Sequence, residues 1–238
     1  MTATLTHTPT TTVRGEIAEP GTTLRRRAAG ATFLGAAAIT MAGILATPFE
    51  HGASETDYLR SLADHPKQAL VAAVLLHFGY LLFVPAAFAM ARLARRGARK
   101  LSAIGISLSV LGSGLSGLVV TDLYDLSVAR HAGTVGGVPI SNMNGVPLAP
   151  FGFLTIGLLT SIGMTLGLAV LAAAMRRARL APVWPAIAIL GGFATAFGAH
   201  GMLRTAIGFG AVCVAIAFLG ITVLRMGDDR FAHGSDAR

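Results

Sequence analysis

The chain has 238 residues, of which 53% are hydrophobic and only 13% are charged. Soluble domains carry about 25% charged residues, and here long windows contain none at all. The composition therefore excludes an ordinary soluble domain. Apolar windows near 20 residues match the thickness of a bilayer core, so an α-helical membrane protein is expected. The short alternating segments of a barrel are absent.

The formal net charge of +8 does not indicate a nucleic-acid partner. Basic residues sit in short clusters directly beside apolar segments, which is how membrane topology is set. No basic stripe with interleaved aromatic residues is present. The single cysteine, Cys213, lies inside an apolar segment and cannot form an internal disulfide.

The chain order predicts a disordered tail over 1–24, a transmembrane domain over 25–226 and a second tail over 227–238. Three arginines before the first apolar run resemble a twin-arginine signal, but the run is long for a signal and five more follow, so a retained helix is favoured. The expected fold is all-α: a bundle of six transmembrane helices with short helices on the outer surface. The predicted spans are 28–47, 68–91, 101–121, 150–174, 183–203 and 206–225.

Orientation follows from the placement of lysine and arginine. With the N-terminus inside, 15 of the 19 basic residues fall on the inner face, and only Arg60, Lys67, Arg130 and Arg204 fall outside. This asymmetry predicts a plasma-membrane protein with both termini cytoplasmic. Most of the acidic and histidine residues between the spans fall on the outer face, where any chemistry is expected.

Small residues follow one face of the third span, at Gly105, Ser109, Gly112 and Ser116, and "GMTLG" in the fourth span is a GxxxG pattern. Membrane helices associate through close packing at such residues. Packing within one bundle is the favoured interpretation, and a homo-oligomer interface is the alternative. Pro85, inside the second span, predicts a kink near Leu81.

Two aspartates end the third span in "GLVVTDLYDLSVARH". Asp122 and Asp125 lie at the negative pole of that helix, where carboxylates are unfavourable. Asp122 can cap a short surface helix, with Asp125 in its first turn. The functional alternative is that Asp122 faces the bundle as a proton donor or cation site, with Asp125 beside it.

His77 lies well within the second span, where ionisable groups are rare and usually face the bundle interior. The structural interpretation is a neutral imidazole that is hydrogen-bonded to a neighbouring helix, with Ser109 or Ser161 as partners. Tyr80 shares its face, and His200 on the fifth span lies nearer the outer surface. No HxxxH or HExxH spacing occurs, so neither a metal nor another cofactor is expected.

The segment "LLHFGYLLFVP", the arginine-rich turn after it and "TDLYD" together resemble uncharacterised six-span membrane proteins of high-GC Gram-positive bacteria. The resemblance implies a plasma-membrane location and no known activity. Small integral-membrane terpene cyclases are of similar size and also use carboxylates, but their tryptophan- and glutamate-bearing motifs are missing here. Walker, Rossmann and GxSxG motifs are also missing.

Three functions stay open from the sequence. The first is a membrane protein that binds an apolar small molecule or lipid between its helices. The second is a membrane-embedded enzyme for a lipid-like or isoprenoid substrate, with Asp122 as acid or base and His77 or His200 assisting. The third is a transporter or an accessory subunit. Lipid is the expected partner, and a homo-oligomer could form through the small-residue faces.

Overall fold

The structure, a computed structural model, describes residues 21–48, 61, 64–112, 134–135, 138–139, 158–197 and 202–233. Seven helices account for nearly all of its regular structure. They are α1 (Thr22–Ala46), α2 (Pro66–Ala94), α3 (Arg99–Gly112), α4 (Leu158–Arg177), α5 (Trp184–Phe197), α6 (Met202–Arg225) and α7 (Asp228–His233). One two-residue ladder pairs β1 (Thr134–Val135) antiparallel with β2 (Val138–Pro139).

Helices α1 to α6 coincide in order with the six predicted apolar segments. Three helices are long and apolar enough to cross a membrane, namely Thr22–Ala46, Pro66–Ala94 and Leu203–Arg225. The apolar helix Trp184–Ala196 is shorter. Residues 113–121 and 150–157, which belong to two predicted spans, lie outside the described residues. So do the surface helix expected after Asp122 and most of the one expected over 55–64, of which only residues 61 and 64 are described. The six-span arrangement is therefore a proposal.

Helix starts and stops follow local chemistry. Pro66 occupies the first turn of α2 and Pro185 the first turn of α5, where a missing backbone N–H costs nothing. Helix α2 continues as one helix through Pro85, whose ring lies on the exposed face. The kink near Leu81 thus stays a prediction, but the proline does not end the helix.

The helices pack as a closed ring. Helix α1 lies between α2 and α6, α6 packs on α5, α5 on α4, and α4 returns to α2. Helix α3 packs mainly on α4 and also touches α2. The core inside this ring combines alanine with many larger side chains, among them Phe33, Met90, Leu171, Ile189 and Ile216, all fully buried.

Glycines set the distance between α3 and α4. A Cβ on Gly112 would lie 2.0 Å from the backbone nitrogen of Met164, and one on Gly167 would lie 2.4 Å from that of Ser109. Gly105 lies against Leu171 in the same interface. The small-residue face of the third span therefore packs on the GxxxG of the fourth within one chain, which confirms the predicted bundle packing at these residues. Ser116 lies outside the described residues.

The perimeter also carries large apolar side chains. Leu111, Leu203, Val214 and Ile187 are each more than half exposed. A soluble protein rarely exposes apolar surface all around its helices, whereas a lipid-facing surface requires it. Small residues where helices cross and apolar residues on the perimeter are the arrangement expected of helices packed in a bilayer.

The α3–α4 interface gives a first prediction. Gly167→Ala places a methyl group into the backbone of Ser109, so it should destabilise the purified protein by about 1–3 kcal/mol, the usual cost of overpacking. Thermal unfolding in detergent measures the change. Gly210→Ala on α6 is the control, because nothing lies within 4 Å of its added Cβ. Equal melting temperatures for the two variants would show that α3 and α4 do not pack this closely.

Candidate functional site

His77 lies on α2 about eleven residues, or about 17 Å, from the start of that helix. Its side chain is half-buried, and its ring meets that of Phe78 edge to face with centroids 5.6 Å apart. Phe78 itself is 55% exposed. His77 thus stands at the border between the packed interior and the perimeter. No described residue makes a hydrogen bond with its imidazole.

Tyr80, one turn further along, is closer to the core. Its ring stacks on the buried Phe83 at a centroid distance of 6.4 Å and packs against the core cluster. Between the two polar residues, Gly79 brings α2 against Thr40 of α1, whose hydroxyl would lie 2.3 Å from an added Cβ. His77 and Tyr80 therefore flank a close contact of α1 with α2.

The other predicted site residues, Asp122, Asp125 and His200, lie outside the described residues. The predicted pairing of His77 with Ser109 is not formed. Ser109 is 1% exposed in the α3–α4 interface against Gly167, and its hydroxyl has no hydrogen-bond partner among the described residues. Ser109 packs as a small residue and does not complete a site. The side chain of Ser161 is not described.

The described part of the chain contains no group of three or more His, Cys, Asp or Glu side chains that could hold a metal ion. The expectation of no metal rests on sequence spacing and remains an expectation.

Positive charge collects at one end of the ring, called here the basic end. It comprises the starts of α1 and α3, the ends of α2, α4 and α6, and the whole of α7. The cations there are largely exposed: Arg25, Arg27, Arg92, Arg95, Arg96, Arg99, Lys100, Arg176, Arg177, Arg179, Arg225 and Arg230.

Helix α7 closes the basic end and was not predicted from the sequence, which indicated a tail over 227–238. Asp228 begins this helix and accepts hydrogen bonds from the Thr23 hydroxyl at 2.5 Å and from Nε of Arg26 at 2.8 Å. Arg26 also donates to the carbonyl of Leu224 at the end of α6. The ion pair connects α1 with α7, and the hydrogen bond to Leu224 connects both with α6. We call Thr23, Arg26 and Asp228 the terminal clasp.

A second contact joins α7 to the turn after α4. The N–H groups of Ala178, Arg179 and Leu180 bond back to carbonyls of the last turn of α4, and Arg179 has φ 57°, the left-handed conformation that usually takes glycine. Nη2 of Arg230 donates to the carbonyl of Arg179 at 3.0 Å. Helix α7 thus also holds the one non-glycine residue with positive φ in the described chain.

Signals for α7 existed in the sequence. Gly227 separates it from α6, two acids occupy its first turn, where they complement the helix dipole, and Phe231 follows one turn later. Phe231 is buried at 6% exposure. A segment of six residues carries too little periodicity to be distinguished from a polar tail.

Comparison of the chain with protein-family models, with curated proteins and with solved structures finds no match.

The terminal clasp predicts a response to pH. The hydrogen bond from Thr23, then that from Arg26, holds the pKa of the Asp228 carboxyl below its ordinary value. A lowered folded-state pKa means that the stabilisation is present above the unfolded value, near 3.8, and is lost as pH falls through the folded pKa. Hydrogen exchange of residues 22–26 and 228–233 should therefore be unchanged between neutral and mildly acidic pH, after correction for intrinsic rates.

The Asp228→Asn variant should increase exchange in both segments at neutral pH, because the amide cannot form the charged pair with Arg26. Asp64→Asn, which makes the same change of charge before α2, is the control. An unchanged exchange pattern in Asp228→Asn would mean that the clasp does not hold α7.

Proposed function

We propose that the chain is a plasma-membrane protein of six transmembrane helices with both termini cytoplasmic. The observation that supports this is the pairing of an apolar perimeter with a basic end. Twelve exposed cations lie at the end where α1 starts and α6 ends, and no helix among the described ones carries such a cluster at its other end. Loops rich in arginine and lysine stay cytoplasmic, so the basic end is assigned to the inside.

We further propose that the protein binds an apolar small molecule or lipid between its helices, beside His77. A neutral imidazole carries one donor and one acceptor, and leaving a buried polar group unpaired costs free energy. His77 is half-buried in a helix of membrane length, and none of the described residues pairs with it. A ligand with an apolar body and one polar group would pair with the imidazole and lie against Phe78.

The resemblance to six-span bacterial membrane proteins supports the proposed location. It gives no support to the proposed ligand. The enzyme and transporter alternatives depend on Asp122 and His200, and no contact of a described residue favours either. They stay predictions from the sequence.

Topology is tested with reporter fusions after residues 55, 95 and 140. They should read outside, inside and outside, because the arginine-rich turn at 95 belongs to the basic end. Fusions at 95 and 140 that read the same side would contradict a bundle of six spans.

Ligand binding is tested with a photoreactive lipid and the His77→Leu variant in native-like membranes. The variant should lose labelling of α2 by several-fold and keep its melting temperature, because leucine preserves bulk and removes only the polar pairing. Phe78→Leu is the matched control and should retain most of the labelling. If His77→Leu is labelled like the unaltered protein, His77 is not at a ligand site. If it instead melts at a lower temperature, His77 has a structural partner.

A further inference from the structure

One part of the basic end has no counter-charge from the described chain. We define the basic patch as Arg92 and Arg95 at the end of α2, Arg99 and Lys100 at the start of α3, and Arg176 and Arg177 at the end of α4. All six residues are exposed. Helices α2, α3 and α4 contact one another, and α3 runs antiparallel to α4 with Gly105 against Leu171. Lys100 lies five residues before Gly105, and Arg176 lies five residues after Leu171. The two cations therefore lie side by side at the basic end.

The described residues include only three acids, and none neutralises this patch. Asp64 precedes α2 at the opposite end, Asp228 is bonded within the terminal clasp, and Asp229 lies beside it on α7. No side chain of the patch makes an ion pair or hydrogen bond with a described residue. Like charges three or four residues apart on a helix repel one another, as Arg92 and Arg95 do. An anion from outside the described chain would therefore stabilise the patch.

The start of α1 shows how the chain supplies such an anion elsewhere. Helix α1 also begins with arginines and has no acid in its first turn, but Asp228 of α7 lies there and bonds Arg26. Helix α3 likewise has no acid in its first turn, where Arg99 and Lys100 add to the positive pole of the helix. At the start of α3, no described carboxylate pairs with the cations as Asp228 does with Arg26.

Apolar surface adjoins the patch on the side of the helix shafts. Phe88 lies one turn from Arg92 on α2 and is 55% exposed, and Ile104 lies one turn from Lys100 on α3 and is 52% exposed. A partner that satisfies both features has an anionic head and a long apolar chain. A nucleic acid or an acidic protein would match only the charges.

We infer that the basic patch binds the head group of an anionic phospholipid, with an acyl chain lying along Phe88 and Ile104. Juxtamembrane clusters of four to eight basic residues are a recognised basis for binding anionic lipid. The inference does not depend on which side of the membrane the basic end faces, nor on a ligand at His77.

Energy transfer from Trp184, the sole tryptophan, tests the inference. Trp184 begins α5 at the basic end, so it reports on lipid near that end. The full chain is placed in phosphatidylcholine vesicles that contain a minority of dansyl-labelled phosphatidylglycerol or dansyl-labelled phosphatidylcholine. The unaltered protein should prefer the anionic lipid. The double variant Arg99→Gln, Lys100→Gln should lose about fivefold of this preference for each cation removed.

The matched control is the double variant Arg27→Gln, Arg225→Gln, which removes two exposed cations from the α1 and α6 side of the same end and should keep the preference. Arg99→Lys retains the charge and should keep it as well. If the double patch variant does not fold, Lys100→Gln alone, at an exposed position of α3, should still show a loss of about fivefold.

Three results would overturn the inference. The first is equal transfer from the anionic and zwitterionic lipids in the unaltered protein. The second is an equal loss in the patch and control variants, which would indicate only a general surface potential. The third is displacement of the lipid by inorganic phosphate or a short DNA duplex, which would assign the patch to a soluble anion.

Discussion

Close approach of backbones is the constraint on which the rest of the molecule depends. Between helices that face lipid, burial of apolar surface gives little driving force, because acyl chains are as apolar as leucine. Attraction must come from dispersion at short range, and that requires small residues wherever two helices cross. The structure meets this requirement at Gly112 and Gly163 between α3 and α4, at Gly192 and Gly208 between α5 and α6, and at Gly30 and Gly220 between α1 and α6. Many large apolar side chains lie on the perimeter, and most charged groups lie at the helix ends.

The same constraint explains buried hydroxyls without partners. Thr40, Ser102 and Ser109 lie in helix interfaces and have no hydrogen-bond partner among the described residues. Threonine and serine are small enough to permit close packing, as Ser109 does against Gly167. They act here as small residues that allow the helices to pack closely. A functional role for any of them would need a hydrogen-bond partner, and none of the described residues is one.

Patterns that repeat along one helix were predictable from the sequence. The apolar segments and the small-residue face through Gly105 and Gly112 each depend on neighbours within a few turns. The terminal clasp was not predictable in this way, because Arg26 and Asp228 are 202 positions apart and neither is unusual in its local sequence. The environment of His77 likewise depends on residues that are far from it in the sequence. Its depth could be read from the apolar run around it, but its place at the edge of the packed interior depends on which neighbours α2 acquires. Asp122, Asp125 and His200 stay predictions from the sequence alone.

The closed ring has a consequence for the order in which the protein can be made. Among the described helices α1 is synthesised before all the others, yet two of its neighbours, α6 and α7, are made after the rest. Until they arrive, Gly30 lacks the helix that covers it and Arg26 lacks its carboxylate. The interface of α1 with α6 and α7 therefore forms only after α2 to α5 have been made, and one packing face of α1 stays uncovered until then. A chain that stops before Asp228 cannot complete this closure.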